Sequence, residues 1–217
     1  MLGGAFHADT AEAILSVALF ALAAFVSVLV HELGHAMTGI KLGGGRAHIM
    51  LTAFGGLASN QGGRFSRSQR FWMIAAGPGA GFVFFLLILT LLCLLFRSTD
   101  VLQVASTILF GLRPHLISME FINMIREKPF VFMFFQQLLW INFWWGVINL
   151  LPVMPLDGGQ IANLLVTPQR RVFLIGMIAA SFMAALGLIW FKSLYTGLLF
   201  GYLAWQNYKN MGAVRWR

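Results

Sequence analysis

Five stretches without a single Asp, Glu, Lys or Arg, at residues 13–30, 71–96, 129–156, 172–191 and 193–208, constrain this chain more than any other feature. A helix needs about 20 apolar residues to cross a hydrocarbon layer of roughly 30 Å. The first four stretches meet that need and the fifth, though short, is read as a further span. Inside lipid every backbone N–H and C=O must be paired within the protein, so apolar runs of this length select helices. The makeup agrees, with 59% hydrophobic and 10% charged residues among 217, far from that of an ordinary soluble domain. The expected fold is an all-α polytopic membrane protein of about five transmembrane helices. It forms a single domain over residues 1–217, with a core at 10–165 and additional C-terminal spans at 171–209.

The net charge of +8 does not point to nucleic acid, because the basic residues are scattered over the loops and form no run. Alternating spans place ten of the fifteen Lys and Arg on one side with no acidic loop residue, and five on the other beside five acidic residues. The positive-inside rule makes the first side cytoplasmic and the N-terminus external. No basic segment precedes the first run, which is therefore expected to be a retained helix and not a cleaved signal. Cys93 has no possible intrachain partner and reads as apolar filler.

Two connecting regions carry structure of their own. After Gly43-Gly44-Gly45, the apolar segment 47–54 is too short to cross and is closed by Gly55-Gly56, which predicts a membrane-associated β-hairpin-like loop. Residues 101–112, then Ile117, Phe121, Met124 and Ile125 at near-helical spacing, predict an amphipathic helix lying on the external interface, with a sixth span as the alternative.

Directly after the first run comes His31-Glu32-Leu33-Gly34-His35, the HExxH pattern. Residues four apart share a helix face, so two imidazoles can ligate one Zn²⁺. Glu32 projects about 100° away and can reach a metal-bound water without ligating the metal. Three ionisable groups this close to hydrocarbon are costly unless they have a function.

A catalytic zinc usually has three protein ligands and one open position. Asp157 supplies the third. It ends the run 129–156, which crosses in the same direction as the first and so delivers its carboxylate to the same cytoplasmic end. Before it the chain reads Asn149-Leu-Leu-Pro152-Val-Met-Pro155-Leu. The two prolines remove helical donors, and irregular backbone at this depth is tolerated where it lines a cavity.

These residues resemble the site-2 protease family of intramembrane metalloproteases. The chain has both the HExxH of that family and its distant NxxPxxxLDG, here Asn149, Pro152, Leu156, Asp157 and Gly158. The resemblance implies a three-helix catalytic core, zinc held by His31, His35 and Asp157, and a loop that receives an unwound substrate strand. Ala47, Ile49, Leu51, Ala53, Phe54, Gly55 and Gly56 are the substrate-strand candidates, and Asn149 the candidate for the substrate backbone or oxyanion. The implied partners are the lipid bilayer and a single-span membrane protein cleaved by Glu32-assisted attack of water. The compact core suits a bacterial inner membrane. One departure stands out: many relatives have Asn in a Gly-Pro-x-x-Asn stretch where this chain reads Gly77-Pro78-Gly79-Ala80-Gly81. The loop at 97–129 and the tail after Tyr208 are too short for the PDZ or CBS domains of other relatives, so substrate selection falls to the membrane core or to a regulatory partner.

The competing reading is a proton or metal transporter or channel using the same His31, Glu32, His35 and Asp157. His48 is expected to be interfacial, and His7 and His115 lie on the far side. Asn142 is expected to bond between helices, Trp140, Trp144 and Trp145 to pack, and Arg64, Arg67 and Arg70 to anchor the second span.

Overall fold

The computed structural model describes residues 11–52, 55–114 and 117–213. In chain order it contains α1 (Ala11–Gly43), β1 (Arg46–Thr52), β2 (Gly55–Gln61), α2 (Arg67–Leu95), α3 (Ser98–Phe110), α4 (Met119–Glu127), α5 (Pro129–Asn149), α6 (Asp157–Leu165), α7 (Gln169–Ile189) and α8 (Leu194–Ala213). Four helices, α1, α2, α5 and α7, are long and apolar enough to cross a membrane. The fifth apolar run folds as α8, whose C-terminal half carries Gln206, Asn207, Lys209 and Asn210 and is more polar than the other four.

Local chemistry sets the helix ends. Ser66 starts α2 with a capping box: its hydroxyl accepts from the Gln69 N–H at 3.2 Å, and the Gln69 side chain accepts from the Ser66 N–H at 2.8 Å. Pro129 begins α5, where the missing donor costs nothing. Gly111 ends α3 with a left-handed φ of 67°.

The region read as one amphipathic helix is two helices, of 13 and 9 residues, and neither reaches spanning length. The break follows from Gly111 and from Pro114, which has no N–H to continue a helix. A buried carboxylate ties the two pieces together. Asp100, in the first turn of α3, accepts from the Ser118 hydroxyl at 2.5 Å and the Ser118 N–H at 3.3 Å, and Ser118 in turn caps α4.

Helices α1, α2 and α5 form the core. The buried residues of α2, Ile74, Gly77, Pro78, Gly81, Phe85 and Ile88, recur every three or four positions and so form one stripe. Phe85 and Ile88 meet Ala23 of α1 and Leu138, Leu139 and Ile141 of α5. Without a hydrophobic drive in lipid, helices associate through close packing and interhelical hydrogen bonds. Both are present. A Cβ on Gly34 would stand 2.3 Å from the Ala76 carbonyl oxygen, so α1 and α2 touch through backbone. Asn142 donates to Ser27 Oγ at 2.9 Å and joins α5 to α1. Its Oδ1 lies 3.8 Å from where a Cβ on Gly81 would be. The amide in this part of the core thus comes from α5, where many relatives have Asn on α2.

The hairpin follows α1 and packs back on it. Strands β1 and β2 pair antiparallel, Arg46 with Gln61 through Thr52 with Gly55. Gly55 and Gly56, expected to close the segment, begin the second strand. His48, Met50, Ser59 and Gln61 are exposed, while Ala47, Ile49, Leu51, Gly56, Ala58 and Asn60 are half-buried. That period of two is what a strand pair with one covered face requires.

Helices α7 and α8 pack on each other and on the segment between α5 and α6, where Val153, Ala180, Phe200 and Leu203 form a second apolar cluster.

Gly34→Val tests the α1–α2 contact. Overpacking of this kind costs about 1–3 kcal/mol or more, so the variant should melt well below the native protein in detergent, and an unchanged melting temperature would contradict the contact.

Candidate metal centre

His31 and His35 lie one turn apart on α1, their ring centroids 4.8 Å apart and their planes nearly perpendicular at 83°. Their Nε2 atoms are 3.2 Å apart. Asp157, the first residue of α6, brings Oδ2 to 3.1 Å from His31 Nε2 and 3.3 Å from His35 Nε2. The three atoms form a nearly equilateral triangle. Ligands about 2.0–2.1 Å from a tetrahedral zinc ion stand roughly 3.3 Å apart, so a triangle of this size fits such an ion.

The donor chemistry agrees with the geometry. His35 Nδ1 lies 2.9 Å from the Met73 carbonyl oxygen, a bond for which this nitrogen carries the proton, and its Nε2 lone pair is left facing the triangle. Asp157 Oδ2 is buried without a hydrogen-bond donor. Glu32 is only 4% exposed, and its strongest charge interactions are with His31, His35 and Asp157. Two buried carboxylates beside two imidazoles call for added positive charge, which a divalent ion provides.

Glycines make the assembly possible. A Cβ on Gly77 of α2 would stand 2.1 Å from His35 Nε2, so only glycine leaves room for this ring. A Cβ on Gly158 would stand 2.1 Å from the Leu150 carbonyl oxygen, and one on Gly159 would stand 2.5 Å from the Val153 carbonyl carbon. The Asp-Gly-Gly sequence therefore lets α6 start tightly against the irregular segment before it. On the hairpin, a Cβ on Gly56 would stand 2.2 Å from Glu32 Cγ, and the Ala58 N–H donates to the Glu32 carboxylate. Strand β2 lies directly on this side chain.

The remaining expected residues are placed as follows. Asn149, the last residue of α5, is buried, and its amide donates to the Trp145 carbonyl at 3.0 Å. One of its two N–H hydrogens makes that bond and the other is not engaged. Ala47, Ile49 and Leu51 lie on β1, and Gly55 and Gly56 on β2. Ala53 and Phe54 lie outside the described residues, as do His7 and His115. His48 is exposed on β1 and, among the described residues, the metal-holding group consists of His31, His35 and Asp157 alone. Trp140 is exposed to the surroundings, while Trp144 and Trp145 pack on the core. Arg64, Arg67 and Arg70 are exposed around the start of α2.

Sequence reasoning missed Gly77 and Asn207. The sequence signal for Gly77 was weak, a glycine-rich stretch inside an apolar run. Asn207 is fully buried and donates to the Met154 carbonyl at 2.8 Å, and its only signal was an amide near the end of an apolar run.

A bundle of membrane-crossing helices that buries two imidazoles, one distant carboxylate and an adjacent glutamate has the make-up of a membrane-embedded metallohydrolase. The family model described as Peptidase family M50 matches residues 19–190, and the chain belongs to that family of metallopeptidases. The structure is similar to that of "Site-2 Protease from Methanocaldococcus jannaschii", with a TM-score of 0.54 and 20% sequence identity over 92% of this chain and 81% of that one. At this identity the likeness is one of fold. No curated protein matches the chain.

Gly77→Ala should displace the His35 ring and weaken metal binding about tenfold or more, as measured by chelator competition. Native affinity in this variant would contradict the contact.

Proposed function

We propose that this protein is an intramembrane zinc endopeptidase that cleaves transmembrane or membrane-proximal segments of single-span membrane proteins. The observation that carries the reading is the triangle of His31 Nε2, His35 Nε2 and Asp157 Oδ2, with Glu32 buried beside it. Family membership favours it over a transporter or channel.

A zinc ion held by these three residues supplies Lewis acidity, which lowers the pKa of water towards about 7 and polarises a carbonyl. Glu32 takes the proton of the attacking water and passes it to the departing amide nitrogen. The Ala58 N–H steadies Glu32 for that transfer. Asn149, with one amide hydrogen not engaged, stands at the end of α5 and offers a donor to the substrate backbone or to the developing oxyanion, a contribution commonly near 3 kcal/mol.

Position along α1 supports a site near one membrane face. His31 lies twenty residues from Ala11, about 30 Å of helix, which matches the thickness of the hydrocarbon layer. The basic residues Lys41, Arg46, Arg64, Arg67 and Arg70 cluster at that end and favour a cytoplasmic site with the N-terminus external.

A substrate helix hides its carbonyls and must unwind before water can reach them. An edge of the hairpin offers replacement hydrogen bonds by strand addition. Since the Ala58 N–H points to Glu32, the outer edge of β2 at Gly56 and Ala58 is the one beside the site, and β1, with Ala47, Ile49 and Leu51, backs it.

Glu32→Gln should retain one zinc per chain and lose at least about a hundredfold in cleavage. Retained proteolysis would exclude Glu32 as the base. For strand addition, single cysteines at Ser59 on β2 and Met50 on β1, in a Cys93→Ser, Glu32→Gln background, would be crosslinked to a cysteine-scanned substrate. The expected result is crosslinking with a period of two from position 59 and none from position 50, and the reverse would place the substrate on β1.

A further inference from the structure

We propose that Asn207, on α8, is a positioning residue for Asp157: its side-chain amide holds in place the loop that delivers this carboxylate to the metal. The inference rests on the zinc reading above and adds to it a role for a helix outside the catalytic core.

The loop between α5 and α6 is short of donors. Pro152 and Pro155 have no N–H, so residues 150–156 cannot continue a helix and must find other partners for their carbonyls. Most are satisfied locally. The Val153 N–H bonds to the Leu151 carbonyl at 2.7 Å, and the Leu156 N–H to that of Val153 at 2.8 Å. Gln160, on α6, bonds through its side chain to the Pro155 carbonyl at 3.2 Å. The Met154 carbonyl is served from far along the chain, by Asn207 Nδ2 at 2.8 Å.

Everything about Asn207 suits a fixed donor. It is 0% exposed, and a buried amide surrounded by apolar groups is retained only when it is bonded. Both of its N–H hydrogens are used, one on the Leu203 carbonyl of its own helix at 2.8 Å and the other on Met154. That bidentate arrangement fixes the rotamer and aims the second hydrogen at the loop. Gly176 of α7 makes the space, since a Cβ there would stand 2.4 Å from Asn207 Oδ1. Next to Met154, Val153 is also 0% exposed and packs with Ala180, Phe200 and Leu203. Helices α7 and α8 therefore grip the loop by one directed bond and one apolar contact. Three residues on is Asp157, whose Oδ2 must stay about 3 Å from both imidazoles for a metal to be held. A looser loop would let that oxygen drift, and a displacement near 1 Å is enough to degrade a metal site.

The test uses purified full-length protein in detergent, native and as the variants Asn207→Leu and Gly176→Ala. Asn207→Leu keeps the volume and removes the donor, and Gly176→Ala keeps the donor and displaces it. Zinc release to a chromogenic chelator is followed with circular dichroism and with cleavage kinetics at saturating zinc. The expected result is native helical content, zinc release faster by about tenfold or more in both variants, and kcat reduced with KM within about twofold. Zinc release at the native rate in both variants overturns the proposal, as does loss of helical content in both, which would make the amide a folding element. A native protein without zinc is a separate failure, because it overturns the zinc reading itself before any variant is compared.

Discussion

A carboxylate oxygen 3.1 and 3.3 Å from two imidazole nitrogens, at membrane depth, is the contact on which the rest of this structure depends. It is an unfavourable contact in isolation. Charge near hydrocarbon is expensive, and a second carboxylate, Glu32, is buried beside it. A divalent cation at the centre turns the same arrangement into a favourable one, and the surrounding elements all help to hold the ligands ready for it. Helix periodicity brings His31 and His35 together, the Met73 carbonyl orients the second ring, and the interruption of α5 returns Asp157 to the same level.

Close approach is the means by which this is done. Gly34, Gly56, Gly77 and Gly158 each occupy a position where a methyl group would overlap a backbone atom or a reacting side chain. In lipid, such contacts replace the hydrophobic effect as the force between helices. Here they also serve chemistry. Gly77 shapes the space for a metal ligand and Gly56 brings a strand onto the general base, so the packing that builds the bundle also builds the site.

The parts legible in the sequence were those with a simple periodic or compositional signature. Long uncharged runs revealed the spans, the four-residue spacing of His31 and His35 a shared helix face, and the glycine pairs flanking 47–54 a hairpin. Asp157 was legible because the direction of crossing brings it to the same end as the histidines. What stayed hidden depends on which helices touch. Gly77 looks like any helix-packing glycine until His35 is seen against it, and Asn207 like a polar residue near a helix end until Met154 is seen beneath it. The amphipathic pattern at 101–127 was real, but Gly111 and Pro114 divide it into two helices, joined through Asp100 and Ser118. The strand boundaries shifted for a related reason, since Gly55 and Gly56 start β2 where the linear reading has them end a segment.

The central claim is that His31, His35 and Asp157 are ligands of one zinc ion, and X-ray absorption at the zinc edge of the purified protein tests it most directly. The account predicts one zinc per chain in a four-coordinate shell of nitrogen and oxygen at about 2.0–2.1 Å, with the outer-shell scattering of two imidazoles. In the Asp157→Asn variant that zinc should be lost or its shell altered. A shell that lacks imidazole scattering, or one that is unchanged in Asp157→Asn, would contradict it.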